Sequence, residues 1–313
     1  MTMVHFLIVT HPSALSTLPP IEENEMAFPT KPTPAMLLTI LLITFANAYA
    51  VQLAAVPLTA QTNQANCNSN GIELIPAIES SDLIIFGEQH GTTEIPLFVA
   101  EVVCSLSAIE PVNLLLELEA ANQADLEEFL KSGGSDTDKR RFIDAVFRQK
   151  DDQHDGRTSV AMFKLIDHAR ELKRTGRKIS VRFFAPTPNI SNFDQSEYEI
   201  EMAQNIRAAV TIDRNAMNIA LVGNFHSRRI SDVSGLKVVP AASLIRDLRI
   251  FSLVSSSIAG EAWQCREDGC GVKQLSGTTA PPKRGVRAFP TNMSGYDGVF
   301  SVGTVYTHSM PAK

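Results

Sequence analysis

Two histidines occupy matching positions far apart in the chain. His90 closes Gly87-Glu88-Gln89-His90, and His226 closes Gly223-Asn224-Phe225-His226. Each Gly-x-x-His tetrapeptide follows an apolar run, Leu83 to Phe86 in the first case and Met217 to Val222 in the second. Two acids could join them: Glu88, inside the first tetrapeptide, and Glu117, late in a third apolar run. Two imidazoles and one or two carboxylates can bind a divalent metal (zinc, manganese or cobalt) and leave a position for water, as catalytic zinc sites do. The metal would lower the pKa of that water and polarise a carbonyl. Without metal, the same set offers a histidine base oriented by a glutamate, the apparatus of general acid–base hydrolysis. Asn224 could donate a hydrogen bond to an oxyanion. Arg228 or Arg229 could clamp a carboxylate or neutralise developing charge. The candidate catalytic set is therefore Glu88, His90, Glu117, Asn224, His226 and Arg228. The candidate ligand set is His90, His226, Glu88 and Glu117.

Each choice has a plainer rival. A single histidine after a strand is usually a hydrogen-bonded structural residue, but the repeated context speaks for both together. Glu117 sits among leucines, and a buried carboxylate is costly unless paired. Glu119 and Glu94 read as acids of helix N-terminal turns. His154, His168 and His308 read as structural. Asp155 and Arg157 divide evenly between a solvated turn and a loop that covers a site.

The elements that must position these groups follow from pattern. A short apolar run bounded by turn residues, as at 82–86, reads as a strand buried on both faces. Gly87 permits a tight exit. The groups after it lie beyond the strand's carboxyl end, where open α/β sheets place their ligands. Pro96 suits the first turn of a helix, and Ile95, Phe98, Val102 and Leu106 fall on one stripe of it. Residues 112–119 form the next strand, so the unit is βαβ and its strands are parallel. Glu117 and Glu119 project to one side of that strand. Helices are expected at 120–131, stopped by Gly133-Gly134, and at 139–149. A polar loop over 150–159 precedes a helix capped by Thr158 or Ser159, running to Arg174 and ended by Gly176. A strand at 178–184, a helix at 194–210 and the second Gly-x-x-His strand come next. A short helix at 241–248, a strand at 250–256, a hairpin-like stretch and a final strand at 298–306 complete the reading. Residues 72–78 read as a short helix or strand.

Length and composition set the frame. The 313 residues suffice for one large α/β domain or two small ones. With 44% hydrophobic residues the chain is of ordinary globular composition, which argues against disorder. Net charge is −6 and there is no basic patch with interleaved aromatics, so nucleic acid is excluded as a partner. Lys31, the apolar core Met36 to Phe45 and Ala46-Asn47-Ala48-Tyr49-Ala50 form a signal peptide pattern, with cleavage expected after Ala50. The core is too short to span a bilayer comfortably. The expected organisation is a signal peptide at 1–50, a flexible segment at 51–70 and one domain at 71–313. Met26 is a candidate start. The expected location is periplasmic or secreted, with no stable membrane span after cleavage, and no cysteine follows the apolar core to carry a lipid. Export implies an oxidising compartment for Cys67, Cys104, Cys265 and Cys270, which allow three pairings. Cys265 and Cys270 could close a hairpin over Asp268-Gly269, leaving Cys67 and Cys104 to bracket the first strand and its helix. A four-cysteine zinc site is the rival, though these are not ribbon or finger spacings.

At the paired Gly-x-x-His motifs the sequence resembles the erythromycin esterase/ChaN-like superfamily. That group includes the TraB and TIKI proteins and bacterial haem-uptake lipoproteins. Its first motif is usually Gly-Glu-x-His or a close variant, and the run Leu114-Leu115-Leu116-Glu117-Leu118-Glu119 matches its acidic strand. The likeness covers roughly residues 80 to 250 and lies in pattern rather than overall identity. The segment from Gly260 to Gly271 is similar to a cysteine-bearing tail of some exported bacterial members. The resemblance implies an α/β fold, a central mostly parallel mixed sheet flanked by helices on both faces, with a cleft lined by both histidines. TIKI-like members are metal-dependent proteases, erythromycin esterases open a macrolide lactone without metal, and ChaN-like members bind haem. Three readings follow: an exported hydrolase of an ester or amide bond in a small molecule or peptide, a binding protein for haem or another iron compound, or a scaffold that has lost both. Two departures stand out. TIKI-like proteins carry an arginine ahead of a methionine in the helix before the second motif, whereas here Tyr198-Glu199 precedes Glu201-Met202-Ala203. ChaN-like proteins are lipidated, and this chain lacks that signal.

Overall fold

The computed structural model describes residues 67, 78, 80–148, 154–187, 192–230 and 237–313. The expected signal peptide and the segment that follows it lie outside the described residues, Cys67 apart. So does the element expected at 72–78, except Ile78.

Nine strands are present among the described residues: β1 (Leu83–Glu88), β2 (Val112–Glu119), β3 (Ile179–Ala185), β4 (Met217–Gly223), β5 (Ile250–Ser255), β6 (Gly260–Arg266), β7 (Gly269–Leu275), β8 (Gly285–Met293) and β9 (Tyr296–Ser301). Seven form one sheet in the order β3-β2-β4-β1-β5-β9-β8, parallel except where β8 pairs antiparallel with β9. The connecting helices are α1 (Glu94–Leu106), α2 (Gln123–Lys131), α3 (Asp136–Phe142), α4 (Val160–Arg174), α5 (Gln195–Ile212) and α6 (Ala241–Leu244). The fold is thus α/β, with a mostly parallel mixed sheet flanked by helices.

The central strands are apolar on both faces because both faces are covered. Ile84, Phe86, Leu114, Leu116, Ile219 and Leu221 share a core with Phe98 and Val102 of α1 and Leu165 of α4. The intervening residues Leu83, Ile85, Leu115, Ala220 and Val222 share a second core with Met202, Ile206 and Val210 of α5 and Ala241 of α6. Alternation along each strand therefore splits one apolar run between two cores. Burying each such side chain fully contributes about 1.5–3 kcal/mol.

Several boundaries differ from the sequence reading. Residues 120–122 form a 3₁₀ turn ahead of α2. The helix expected at 139–149 starts earlier, because Ser135 and Asp138 form a capping box. It ends in a single wide turn over Ile143–Phe147. Helix α6 is four residues long, because the backbone becomes extended at Ile245 (ψ 96°). Strand β8 escapes the pattern: it is an edge strand with a mostly exposed, polar face and no apolar run to announce it. Ser294 and Gly295, at φ 53° and 90°, turn it into β9.

Strands β6 and β7 form a separate antiparallel hairpin in which Cys265 lies opposite Cys270. Disulfides join Cys265 to Cys270 and Cys67 to Cys104, so the four-cysteine zinc alternative is ruled out. Both bonds suit an oxidising compartment. Among the described residues no helix is long and apolar enough to cross a membrane.

Candidate active site

Strands β1 and β4 are neighbours, and their register sets Glu88 beside Gly223. Both Gly-x-x-His turns therefore leave the sheet side by side. The ladder continues one step past the strands, with Asn224 N–H donating to Glu88 O at 3.0 Å. The glycines are required by space. A Cβ on Gly87 would stand 2.3 Å from Ser227 Oγ and 3.0 Å from Leu253 O. One on Gly223 would stand 2.7 Å from His90 Nε2, so the first histidine lies against the glycine of the second motif.

Strand β2 flanks β4 on its other side and carries Glu117 to a point between the two imidazoles. Its carboxylate is 2% exposed and each oxygen is shared. Oε2 accepts from Gly223 N–H at 2.7 Å and lies 3.5 Å from His90 Nε2. Oε1 lies 3.6 Å from His226 Nε2 and 3.5 Å from Arg157 Nη1. Each imidazole is backed by a second acid. His90 Nδ1 meets Glu88 Oε1 at 3.0 Å. His226 Nδ1 lies 2.7 Å from Glu199 Oε1, a close ionic contact without the alignment of a hydrogen bond. Glu199, fully buried on α5, is fixed by Gln195 Nε2 at 2.6 Å and by Ala241 N–H at 2.8 Å. The imidazoles keep 21% and 15% of their surface exposed.

Arg157 arrives from the turn before α4. Asp155 holds it at 2.6 Å, and its Nη1 donates to Tyr198 Oη at 3.2 Å. Arg157 thus reaches Glu117 from a loop. That loop is stitched to two other segments. Gly91 O accepts from Trp263 N–H of β6 at 2.9 Å and from Ser309 N–H at 2.8 Å. Trp263 Nε1 donates to His154 O at 2.8 Å. Val160 N–H donates to Met310 O at 2.8 Å, and Ala312 N–H to Thr158 O at 3.0 Å.

Electrostatics follow from this packing. Burial works against a charged His90, but Glu117, Glu88 and Asp155 outweigh it and its pKa is pushed up to about 9. His226 is likewise opposed by burial and raised by Glu117 and Glu199, while the charge on His90 works against it. Burial opposes ionisation of Glu117, yet His226, His90 and Arg157 hold its pKa below the ordinary carboxylate range. Burial raises Tyr198 to about 12 despite Arg157. Glu117 is therefore the anion that His90, His226 and Arg157 share.

The remaining sequence candidates lie elsewhere. Asn224 turns its amide nitrogen to Ser255 Oγ at 3.3 Å, away from the imidazoles. Arg228 lies over the Tyr296 ring, with Nε donating to Tyr296 Oη at 3.0 Å. Arg229 pairs with Asp297 at 2.7 Å. Glu119 accepts from Thr187 Oγ1 at 3.2 Å, and Glu94 accepts from Thr307 N–H at 2.9 Å. His308 pairs with Glu261 at 2.8 Å, His154 meets Thr158 Oγ1 at 3.1 Å, and His168 lies on α4. Sequence reasoning misses the roles of Glu199 and Tyr198. A signal exists: Glu199, Met202, Ala203, Ile206, Ala209 and Val210 fall at helical spacing on the buried face of α5, so a carboxylate interrupts an apolar stripe.

Among the described residues no three histidine, cysteine or acidic side chains are arranged to hold a metal ion. The chemistry of the donors agrees. The carboxylate that would bind a cation already faces a guanidinium and a backbone N–H, and a divalent ion there would meet Arg157.

No family model matches the chain, and a search of curated proteins finds no match. Solved structures do match in fold. A mutant of the erythromycin esterase EreC in its open conformation aligns with TM-score 0.50 and 12% identity, over 77% of this chain and 94% of that one. A Bacillus cereus protein aligns with TM-score 0.48 and 10% identity, over 76% and 91%. A haem-binding ChaN of Campylobacter jejuni aligns with TM-score 0.34 and 12% identity, over 64% and 91%.

Proposed function

We propose that this chain, which has the erythromycin esterase-like fold, is an exported hydrolase of ester or amide bonds that works by histidine acid–base chemistry. One observation carries the reading: two imidazoles flank a single buried carboxylate, Glu117, and each is backed by an acid of its own. Paired titratable groups with shifted pKa values in a solvent-reached hollow mark acid–base sites. The two disulfides support export.

The roles divide by charge. The positive charge on His90 works against a second one on His226, so His226 gives up its proton first and serves as the base. It takes a proton from water as the water oxygen attacks the substrate carbonyl carbon. The carbonyl oxygen gains the negative charge, which Arg157 and the Tyr198 hydroxyl stabilise from one side. His90 then donates its proton to the departing alcohol or amine as the carbon–heteroatom bond breaks. Glu88 and Glu199 hold the two rings in place, and Glu117 keeps both within reach of one substrate. Asn224 and Arg228 have no part in these steps.

Purified mature protein would be assayed against a panel of simple esters and peptides. His90→Gln and His226→Gln should each lower kcat by about 10²–10⁴-fold with circular dichroism unchanged. Equal turnover in wild type and both variants would overturn the assignment.

A further inference from the structure

Aromatic rings lead from the surface to His226. The Phe193 ring, 52% exposed just ahead of α5, contacts Tyr198 with centroids 5.7 Å apart. Tyr198 in turn stands 6.1 Å from the His226 ring. Phe225 meets the same imidazole at 5.5 Å, edge to face. These spacings lie in the range where aromatic pairs attract. Other large apolar side chains are exposed in the described residues, among them Ile109, Ile212 and Met293. Phe193 alone of that group is aromatic, and it alone is in ring contact with a site residue. Its neighbour Tyr198 is held in orientation by Arg157, so the ladder is fixed at its inner end and open at its outer end.

We propose that Phe193, Tyr198 and Phe225 form a subsite for a flat apolar group attached to the scissile carbonyl, making aryl-substituted esters or amides the substrate class. The inference rests on the hydrolase reading above. A ring seated against Phe193 and Tyr198 removes exposed phenyl surface from water and sets the carbonyl over the imidazoles. A short alkyl group gains neither effect.

Methyl phenylacetate and methyl acetate share a leaving group and differ only at this position. For the wild type the ratio of their kcat/KM values should be about tenfold or more in favour of the aryl ester, the effect of roughly one aromatic pair plus its buried area. Phe193→Ala should bring the ratio within about threefold of unity, and Phe193→Trp should keep it. Turnover of both esters with no aryl preference, or a preference that survives Phe193→Ala, overturns the subsite and leaves the hydrolase reading standing. If neither ester turns over, binding of phenylacetate decides the subsite by itself. Saturation-transfer NMR signals on its ring protons that vanish in Phe193→Ala sustain it, and their absence in the wild type overturns it.

Discussion

Glu117→Gln removes the charge at the meeting point of two imidazoles and a guanidinium while keeping an oxygen for the Gly223 N–H. The rise of His90 from 6.5 to about 9 corresponds to about 3 kcal/mol of preference for the imidazolium, at about 1.4 kcal/mol per pKa unit. Glu117 leads the contributors that raise it, ahead of Glu88 and Asp155. The variant's His90 should therefore titrate at lower pH than the wild type's. The ring proton resonance of His90, followed by NMR against pH, reads this directly. Stability moves with it. A group whose pKa is raised on folding contributes in full below its unfolded value and loses that contribution as pH climbs through its folded value. Wild-type unfolding free energy should therefore fall between pH 6.5 and about 9, and the fall should be shallower in the variant. An unchanged His90 midpoint in Glu117→Gln would refute the claim that this carboxylate governs the pair.

Glu199→Gln should lower kcat by about tenfold or more and shift the rising limb of the pH–rate profile to lower pH, because His226 loses an anion that favours its charged form. A profile unmoved along the pH axis would count against Glu199 as the residue that tunes the base. In Gly223→Ala the new methyl would sit 2.7 Å from His90 Nε2, so kcat/KM should drop by about 100-fold through misplacement while thermal melting shifts little. Dialysis against a chelator should leave turnover intact. Activity lost on chelation and restored by zinc, manganese or cobalt would show that the donor set binds metal after all.

Much of the scaffold is legible in the sequence, for reasons particular strands make clear. Leu83 to Phe86 and Leu114 to Leu116 are apolar without interruption because each strand is covered twice, and a strand with one wet face would alternate instead. The glycines of both motifs are equally plain, since a tight exit or a close side chain leaves no room for Cβ. What stays hidden is contributed from elsewhere in the chain. Glu199 reads as one more acid on an amphipathic helix until its buried face is known. Arg157 lies in a polar loop, and nothing local distinguishes a guanidinium bound to a buried carboxylate from one in water. Proximity in sequence to His226 says nothing about direction: Asn224 Nδ2 donates to Ser255 and Arg228 Nε to Tyr296. Strand β8 carries no periodic signal because its partner is on one side only.

The last few residues of the chain run beside the loop that presents Arg157, joined to it through Met310 O and Ala312 N–H and to the first histidine turn through Ser309 N–H. Residues 309–312 thus brace the two turns that present His90 and Arg157. Proline at position 312 would remove the N–H that Thr158 O accepts and slacken the grip on a guanidinium far earlier in the sequence.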